Sequence, residues 1–236
     1  MGAPCETGAG ARASIVTIVM DGATFPEPLN ESARAANWEA AWSTLGRPAP
    51  VGMREALEAA WSEPHRRYHD KRHLGECLAL WTRWCCQADR PAEVAIALWF
   101  HDAIHDPQAS GNELKSAAWA ARALLKAGLP SETAQRVHDL VMATRHDTQT
   151  QGRDAQLLVD IDLAILGSPG ERFERYDQDV RKEFAWVPGY RYRTQRTRVL
   201  QGFLDRPRLY HGAPAVALLE ARSRINLAAA ISRLAQ

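Results

Sequence analysis

The chain has 236 residues, of which 46% are hydrophobic and 24% are charged, and its formal net charge is +1. These values are ordinary for a globular protein, and the length allows a substantial core. A net charge near zero gives no overall field that would attract nucleic acid or an anionic membrane. The sequence contains no recognisable nucleic-acid-binding module or long basic arm, so neither partner is expected.

The start of the chain carries a mostly apolar run, ASIVTIVM, at residues 13–20. This run is too short to span a membrane, and no cleavage signal of a secretory leader follows it. We expect residues 1–25 to be a disordered tail and residues 26–236 to form one domain. Alternatively, Met20 is the true beginning of the protein.

The four cysteines are Cys5, Cys77, Cys85 and Cys86. None forms a C-x-x-C pair, and two adjacent cysteines make a poor disulfide or zinc pattern. This usage predicts a protein with reduced thiols in the cytoplasm.

Apolar residues recur at helical spacing through most of the chain, and no stretch alternates convincingly with a period of two. The pattern predicts helices over residues 31–45, 51–61, 72–86, 111–127, 131–144, 154–166, 169–187, 190–204 and 214–234, with a further helix that begins at Pro91. Pro91 suits the first position of a helix, and Ser131 is the expected cap of another. The predicted class is therefore all-α.

Three histidines, His65, His69 and His73, follow one another at intervals of four residues. Pro64 precedes them and the apolar stripe starts only near His73, so we expect His65 and His69 in a lead-in loop or first turn. His73 is in phase with Cys77 and should point inward. A single inward histidine is usually a core residue whose ring nitrogens are hydrogen-bonded. Whether His73 instead binds a metal ion depends on which residues lie next to it.

The segment ALWFHDAIHDP at residues 97–107 contains the His-Asp pair twice. His101 continues the buried face that Val94 begins, so it should emerge from the core at the last turn of an apolar helix. Asp102 follows it, and a buried carboxylate without a partner is costly, which suggests a cation. The second pair, which starts at His105, lies one turn nearer the end of the segment and is expected at the rim.

Two further acids, Asp160 and Asp162, interrupt the apolar run VDIDLAILG. Carboxylates within such a run are expensive to bury unless they are paired or bind a cation. The residues alone leave open which of the two, if either, is a ligand.

Several segments in this order resemble the HD superfamily of metal-dependent phosphohydrolases, and more closely a group of predicted HD phosphohydrolases. They are RRYHDKRHL, WFHDAIHDP, NELKSA, VDIDLAILG and ARSRINL. The resemblance covers about residues 30–234. It implies an HD-domain-like helical bundle with additional C-terminal helices, and an enzyme that hydrolyses a small phosphorylated compound, with nucleotides among the candidates.

The resemblance further implies that His73, His101, Asp102 and Asp162 bind a divalent metal ion. It favours Asp162 over Asp160 because the family ligand is usually the second acid of an acid-apolar-acid step. Two imidazoles and two carboxylates suit Mn²⁺, Fe²⁺, Co²⁺, Mg²⁺ or Zn²⁺ and leave positions for water and substrate. The implied reaction is hydrolysis by metal-activated water. In it, Asp102 is expected to be a catalytic residue as well as a metal ligand.

HD proteins that bind a metal ion through the His-Asp pair often use additional histidines to bind a second metal ion or phosphate. The candidates in this chain are His69, His105 and His146. Glu113, in the NELKSA segment, is a candidate general acid or base, or a group that orients water.

A phosphorylated substrate also requires positive charge. Arg196 shares a predicted helix face with Tyr192 and should be partly buried, so it needs an anion from the protein or from the substrate. Arg193 and Lys115 are further candidates for binding the substrate.

Two other functions fit the same residues. One is a non-catalytic module that binds a metal or nucleotide, which a ligand would stabilise without turnover. The other is a di-iron oxygenase on the same scaffold, which would consume oxygen. The sequence does not indicate the oligomeric state.

Overall fold

The computed structural model of the protein describes residues 24–146 and 150–236. Every regular element in these residues is helical, which confirms the all-α class. None of the described helices is both long and apolar enough to cross a membrane. Residues 1–23, with the apolar run and most of the expected tail, lie outside the described residues. Phe25, also assigned to that tail, is partly buried against the core.

Ten helices follow one another along the described chain. They are α1 Glu31–Thr44, α2 Met53–Ala60, α3 Lys71–Trp84, α4 Pro91–Phe100, α5 Asn112–Lys126, α6 Ser131–Met142, α7 Arg153–Asp162, α8 Gly170–Glu183, α9 Gly189–Leu204 and α10. Helix α10 begins as Ala213–Ala215, passes through a π-helical segment at Val216–Glu220 and continues as Ala221–Leu234.

Local signals explain where several helices begin and end. The side chain of Asn30 caps α1 through the N–H of Ala33, and Asp70 caps α3. Pro91 is the first residue of α4, as predicted. Ser131 is not a cap, because Pro130 occupies that position and α6 begins at Ser131. The predicted helix over residues 154–166 changes at Asp162 into a 3₁₀-helix, Leu163–Gly167.

Helix α4 lies at the centre of the fold. All of its residues except Pro91 are buried, and it contacts α1, α3, α5, α6 and α7. Burial of a large apolar side chain contributes about 1.5–3 kcal/mol, so this helix anchors the core. Its all-round burial places His101, which directly follows it, inside the protein.

Helices α3, α4 and α7 also contact one another in pairs. The first turn of α3 carries His73, while His101 and Asp162 lie at the ends of α4 and α7. The three helices therefore bring together polar residues that are far apart in sequence.

The C-terminal helix α10 packs closely on the 3₁₀-helix after α7. A Cβ atom added to Gly167 would lie 2.7 Å from Cβ of Leu219 and 2.8 Å from Oγ of Ser223, so only glycine fits there. Asn226 donates hydrogen bonds to the carbonyls of Leu166 and Ser168, at 2.8 and 3.0 Å. The ARSRINL segment therefore has a packing role in this part of the fold.

Candidate metal centre

Two histidines and two aspartates meet where α3, α4 and α7 converge. Nε2 of His73 lies 3.2 Å from Nε2 of His101. Oδ1 of Asp162 lies 3.3 Å from Nε2 of His73 and 3.6 Å from Nε2 of His101. Oδ2 of Asp102 lies 3.4 Å from Nε2 of His101 and 4.0 Å from Nε2 of His73. We call these four residues the inner cluster.

The outward nitrogens of both imidazoles have partners that fix the rings. Nδ1 of His101 donates to the carbonyl of Leu98 at 2.8 Å, and Nδ1 of His73 lies 3.1 Å from the hydroxyl of Tyr68. The indole of Trp61 contacts both rings, with centroid distances of 5.2 and 6.2 Å. Such partners orient the imidazoles of metal sites and set their tautomers, so both Nε2 atoms can present lone pairs to a cation.

In the inner cluster, burial and the neighbouring charged groups shift the pKa values of His101 and Asp162 in opposite directions. Burial lowers the pKa of His101, but the negative charges of Asp102 and Asp162 raise it to about 9. Burial raises the pKa of Asp162, but hydrogen bonds with His101, His146 and His73 hold it well below its usual value. The two carboxylates therefore favour positive charge at this position, whether a proton or a cation supplies it.

The chemistry of these donors fits a divalent ion. Imidazole nitrogen and carboxylate oxygen both suit first-row divalent metals. The side chains of His73 and His101 are almost fully buried, so the inner donors are shielded from water. The inner cluster could therefore hold a metal ion, with no preference among the candidate metals visible from the donors alone.

Cys77 also belongs to the group that could hold a metal, together with His73, His101 and Asp162. Its Sγ lies 3.7 Å from Nδ1 of His73. Burial raises the pKa of Cys77 well above its usual value, so the thiol is protonated in the metal-free protein. Cys77 was not a sequence candidate, although its position one turn after an inward histidine was a signal.

The two acids of α7 have different surroundings. Asp160 faces away from the inner cluster and accepts hydrogen bonds from the N–H groups of His211 and Gly212, at 2.9 and 2.7 Å. Its carboxylate therefore fixes the loop before α10, whereas Asp162 faces His73 and His101.

A cleft of about 370 Å³ opens onto the inner cluster. Its wall includes Asp102, Asp162, Glu113 and His146. Nε2 of His146 lies 3.0 Å from Oδ2 of Asp162, and the φ angle of His146 is 56°, which residues other than glycine rarely adopt. Glu113 and His146 thus lie in the wall of the cleft that opens onto the inner cluster.

His69 and His105 form a second group, in which Glu183 is the third member. We call these residues the outer triad. Oε2 of Glu183 lies 2.7 Å from Nδ1 of His69 and 3.4 Å from Nε2 of His105. His105, which was expected at the rim, is partly buried with 10% of its side chain exposed, and it lines the cleft. Glu183 was not a sequence candidate, because no local pattern distinguishes it from other acids of α8.

The predicted cationic residues lie in different environments. Lys115 and Arg193 are exposed, and neither is among the described residues that line the cleft. Arg196 is mostly buried, with its guanidinium 3.3 Å from Asp177 and 5.1 Å from the ring centroid of Tyr176. The anion that Arg196 requires is therefore supplied by the protein.

An apolar chamber of about 430 Å³ adjoins the cleft. The two cavities share His69, Pro107, Tyr176 and Phe184 in their walls. The chamber is lined further by Val180, Trp186, Val187, Tyr192, Arg196 and Val199. The cleft thus combines a polar end with an apolar extension.

No protein-family model, curated protein or solved structure matches this chain.

Proposed function

We propose that this chain is a metal-dependent phosphohydrolase with an HD-domain-like site, acting on a small phosphorylated compound. The observation that carries the proposal is the convergence of His73, His101, Asp102 and Asp162 from distant parts of the sequence at one end of a cleft. These are the residues that the resemblance to HD phosphohydrolases selects as ligands.

In this proposal the inner cluster holds one divalent ion. A bound ion of this kind lowers the pKa of water and supplies positive charge to a phosphoryl oxygen. His146 holds the outer oxygen of Asp162, and the partners of His73 and His101 keep both rings oriented. Residues fixed before the substrate binds need not reorganise during the reaction.

Glu113 is the proposed proton carrier. Its carboxyl lies in the wall of the cleft, at the first turn of α5. A carboxyl there can give a proton to the leaving oxygen or hold the attacking water, provided that the substrate lies within hydrogen-bonding distance.

The apolar chamber is the proposed site for the organic group of the substrate. Its aromatic and aliphatic walls suit a planar ring, and 54% of the surface of Trp186 is exposed at this site. A nucleoside phosphate would place its phosphate in the cleft and its base in the chamber.

The first experiment identifies the metal and the reaction. Purified protein is analysed for bound metals and then loaded with each candidate ion. Release of phosphate is measured from phosphomonoesters, phosphodiesters and nucleotides. We expect activity that His101→Ala abolishes and that His138→Ala retains, because His138 lies outside the cleft on α6. If the metal-loaded wild type releases no more phosphate than His101→Ala from any compound, the proposal is wrong.

A second experiment tests the apolar chamber. Adenosine 5′-phosphate and ribose 5-phosphate both carry a phosphate on the 5-hydroxyl of ribose, but only the nucleotide has a base. We expect a lower KM for the nucleotide, and we expect Val199→Asp to raise that KM about 10-fold while changing the KM for ribose 5-phosphate little. Equal KM values for both compounds in the wild type would contradict this assignment.

A further inference from the structure

Arg66 is the first residue of the RRYHDKRHL segment, and its side chain is fully buried. Its Nε donates to Oε2 of Glu63 at 3.1 Å, which satisfies one of the five N–H groups of the guanidinium. A buried guanidinium is costly unless its other N–H groups also have acceptors. The remaining partners of Arg66 therefore indicate what this charge does in the fold.

Those partners are main-chain carbonyls from two separate segments. One terminal nitrogen, Nη1, donates to the carbonyl of His69 at 2.9 Å and to the carbonyl of Asp102 at 2.7 Å. The other, Nη2, donates to the carbonyl of Ala103 at 3.0 Å. Carbonyls that follow the end of a helix lack partners within the helix, and a cationic side chain can satisfy them. One guanidinium thus ties the turn after α4 to the loop before α3, which carries His69 of the outer triad.

The loop and the turn lead into opposite parts of the inner cluster. His73 lies in the first turn of α3, whereas His101 and Asp102 follow directly on α4. Nε2 of His73 lies 3.2 Å from Nε2 of His101. A metal site tolerates changes of only about 0.2 Å in its metal–ligand distances, so a small shift between the two segments would spoil the donor spacing. That spacing therefore depends on what holds the segments together.

Arg66 also supports the aromatic ring that packs against both imidazoles. The guanidinium carbon of Arg66 lies 5.4 Å from the ring centroid of Trp61. Trp61 donates through Nε1 to the carbonyl of Trp99 at 3.0 Å, and its indole contacts the rings of His101 and His73. The guanidinium is therefore connected to the inner cluster through the backbone and through this indole.

We propose that Arg66 is a positioning residue of the metal centre, which holds the segments carrying His73 and Asp102 at the separation that a divalent ion requires. The inference rests on the inner metal site of the proposed function. Among the described residues, Arg66 is not part of the wall of the cleft. It acts through the main chain of the ligand-bearing segments and not by contact with a substrate.

The test measures Co²⁺ binding by Arg66 variants. Arg66→Met keeps an unbranched side chain but removes every donor, and Arg66→Lys keeps the charge but lacks the planar fork that reaches three carbonyls. We expect Arg66→Met to raise the Kd for Co²⁺ about 10- to 100-fold in equilibrium dialysis. At saturation, the visible absorption spectrum of bound Co²⁺ should also change, because it depends on the arrangement of the ligands. Arg66→Lys should have a Kd between those of the wild type and Arg66→Met.

Arg34→Met is the matched control. Arg34, on α1, is also buried, and its guanidinium donates to both carboxylate oxygens of Glu58 and to the carbonyl of Leu29, each at 2.9 Å. This variant removes a comparable set of bonds away from the inner cluster, so we expect a lower melting temperature with the wild-type Kd and Co²⁺ spectrum. Circular dichroism checks that each variant is folded, and if Arg66→Met does not fold, Arg66→Lys takes its place in the comparison.

The outcomes separate this role from the proposed function. Absence of bound Co²⁺ in the wild type would overturn both. If the wild type binds Co²⁺ and His101→Ala does not, the inner site stands, and a wild-type Kd and spectrum in the folded Arg66 variant would overturn only the role of Arg66. An equal rise in Kd in Arg66→Met and Arg34→Met would reveal a general effect of lost stability, and it would overturn that role as well.

Discussion

The Nε2 atoms of His73 and His101 lie 3.2 Å apart, although the residues are 28 positions apart in sequence. Tyr68 and the carbonyl of Leu98 engage the outer nitrogens of the rings, so both inner nitrogens face the same point. Two inward lone pairs at this distance repel unless a proton or a cation lies between them. The arrangement therefore links metal affinity to the groups that orient the rings.

Substitution Tyr68→Phe removes the hydroxyl that contacts Nδ1 of His73 and keeps the aromatic ring. Loss of such an orienting partner typically costs 10- to 100-fold in metal affinity, and we expect the Kd for Co²⁺ at the inner cluster to rise within about that range. Isothermal titration of the metal-free protein with Co²⁺ measures this affinity.

Tyr192→Phe is the matched control, because the hydroxyl of Tyr192 is buried and has no hydrogen-bond partner among the described residues. We expect its Kd for Co²⁺ to equal that of the wild type. Equal Kd values for both tyrosine variants would show that the hydroxyl of Tyr68 does not orient His73.

Substitution of the two acids of α7 should affect metal affinity to very different extents. Asp162→Asn removes a charged donor from the inner cluster, so we expect Co²⁺ affinity to fall at least about 100-fold. Asp160→Asn should leave that affinity within a few-fold. Equilibrium dialysis of both variants against Co²⁺ measures the difference.

Asp160→Asn should instead destabilise the fold. An asparagine amide would place N–H donors against the N–H groups of His211 and Gly212. We expect the free energy of unfolding to fall by about 1–3 kcal/mol, measured by urea denaturation. Loss of metal in Asp160→Asn, with retention in Asp162→Asn, would reverse our assignment of the two acids.

The stability of the metal-free protein should fall as the pH rises above neutrality. The pKa of His101 is about 9 in the folded protein, above its ordinary value of 6.5. Its protonation therefore stabilises the fold fully below about pH 6.5, and this contribution is lost as the pH rises through 9. The loss is on the order of 3 kcal/mol.

Urea denaturation between pH 6 and pH 9.5, in the presence of a chelator, measures this dependence. The comparison is with His101→Gln, which lacks the titrating group and should have a flatter profile. Parallel profiles for the two proteins would refute the role of His101 in this pH dependence.

Gly167→Ala should strain the junction between the 3₁₀-helix and α10. The added Cβ would lie 2.7 Å from Leu219 and 2.8 Å from Ser223 Oγ, so we expect a loss of about 1–3 kcal/mol in the free energy of unfolding. Gly202→Ala is the control, because a Cβ there meets nothing within 4 Å in the interior of α9. That variant should gain about 0.5–1 kcal/mol. Urea denaturation compares both with the wild type, and a stable Gly167→Ala protein would contradict the close packing.

The sequence by itself determined the helical class and most helix positions, because helical periodicity and end signals are local. The apolar face that Val94 begins predicted a buried His101, and the phase of Cys77 predicted an inward His73. These predictions needed only the geometry of a single helix. The mistaken assignment of Ser131 as a cap shows that even a local signal can fail when a neighbouring proline occupies the position.

Only the tertiary structure decided which polar residues meet. Asp160 and Asp162 have the same local setting, but Asp160 bonds the loop before α10, whereas Asp162 meets His73 of α3. Glu183 joins His69 from 114 positions away in sequence, and the same carboxylate lies 3.4 Å from Nε2 of His105. Periodicity sets the direction of a side chain relative to its own helix, whereas a site depends on the relative positions of several helices, which long-range packing determines.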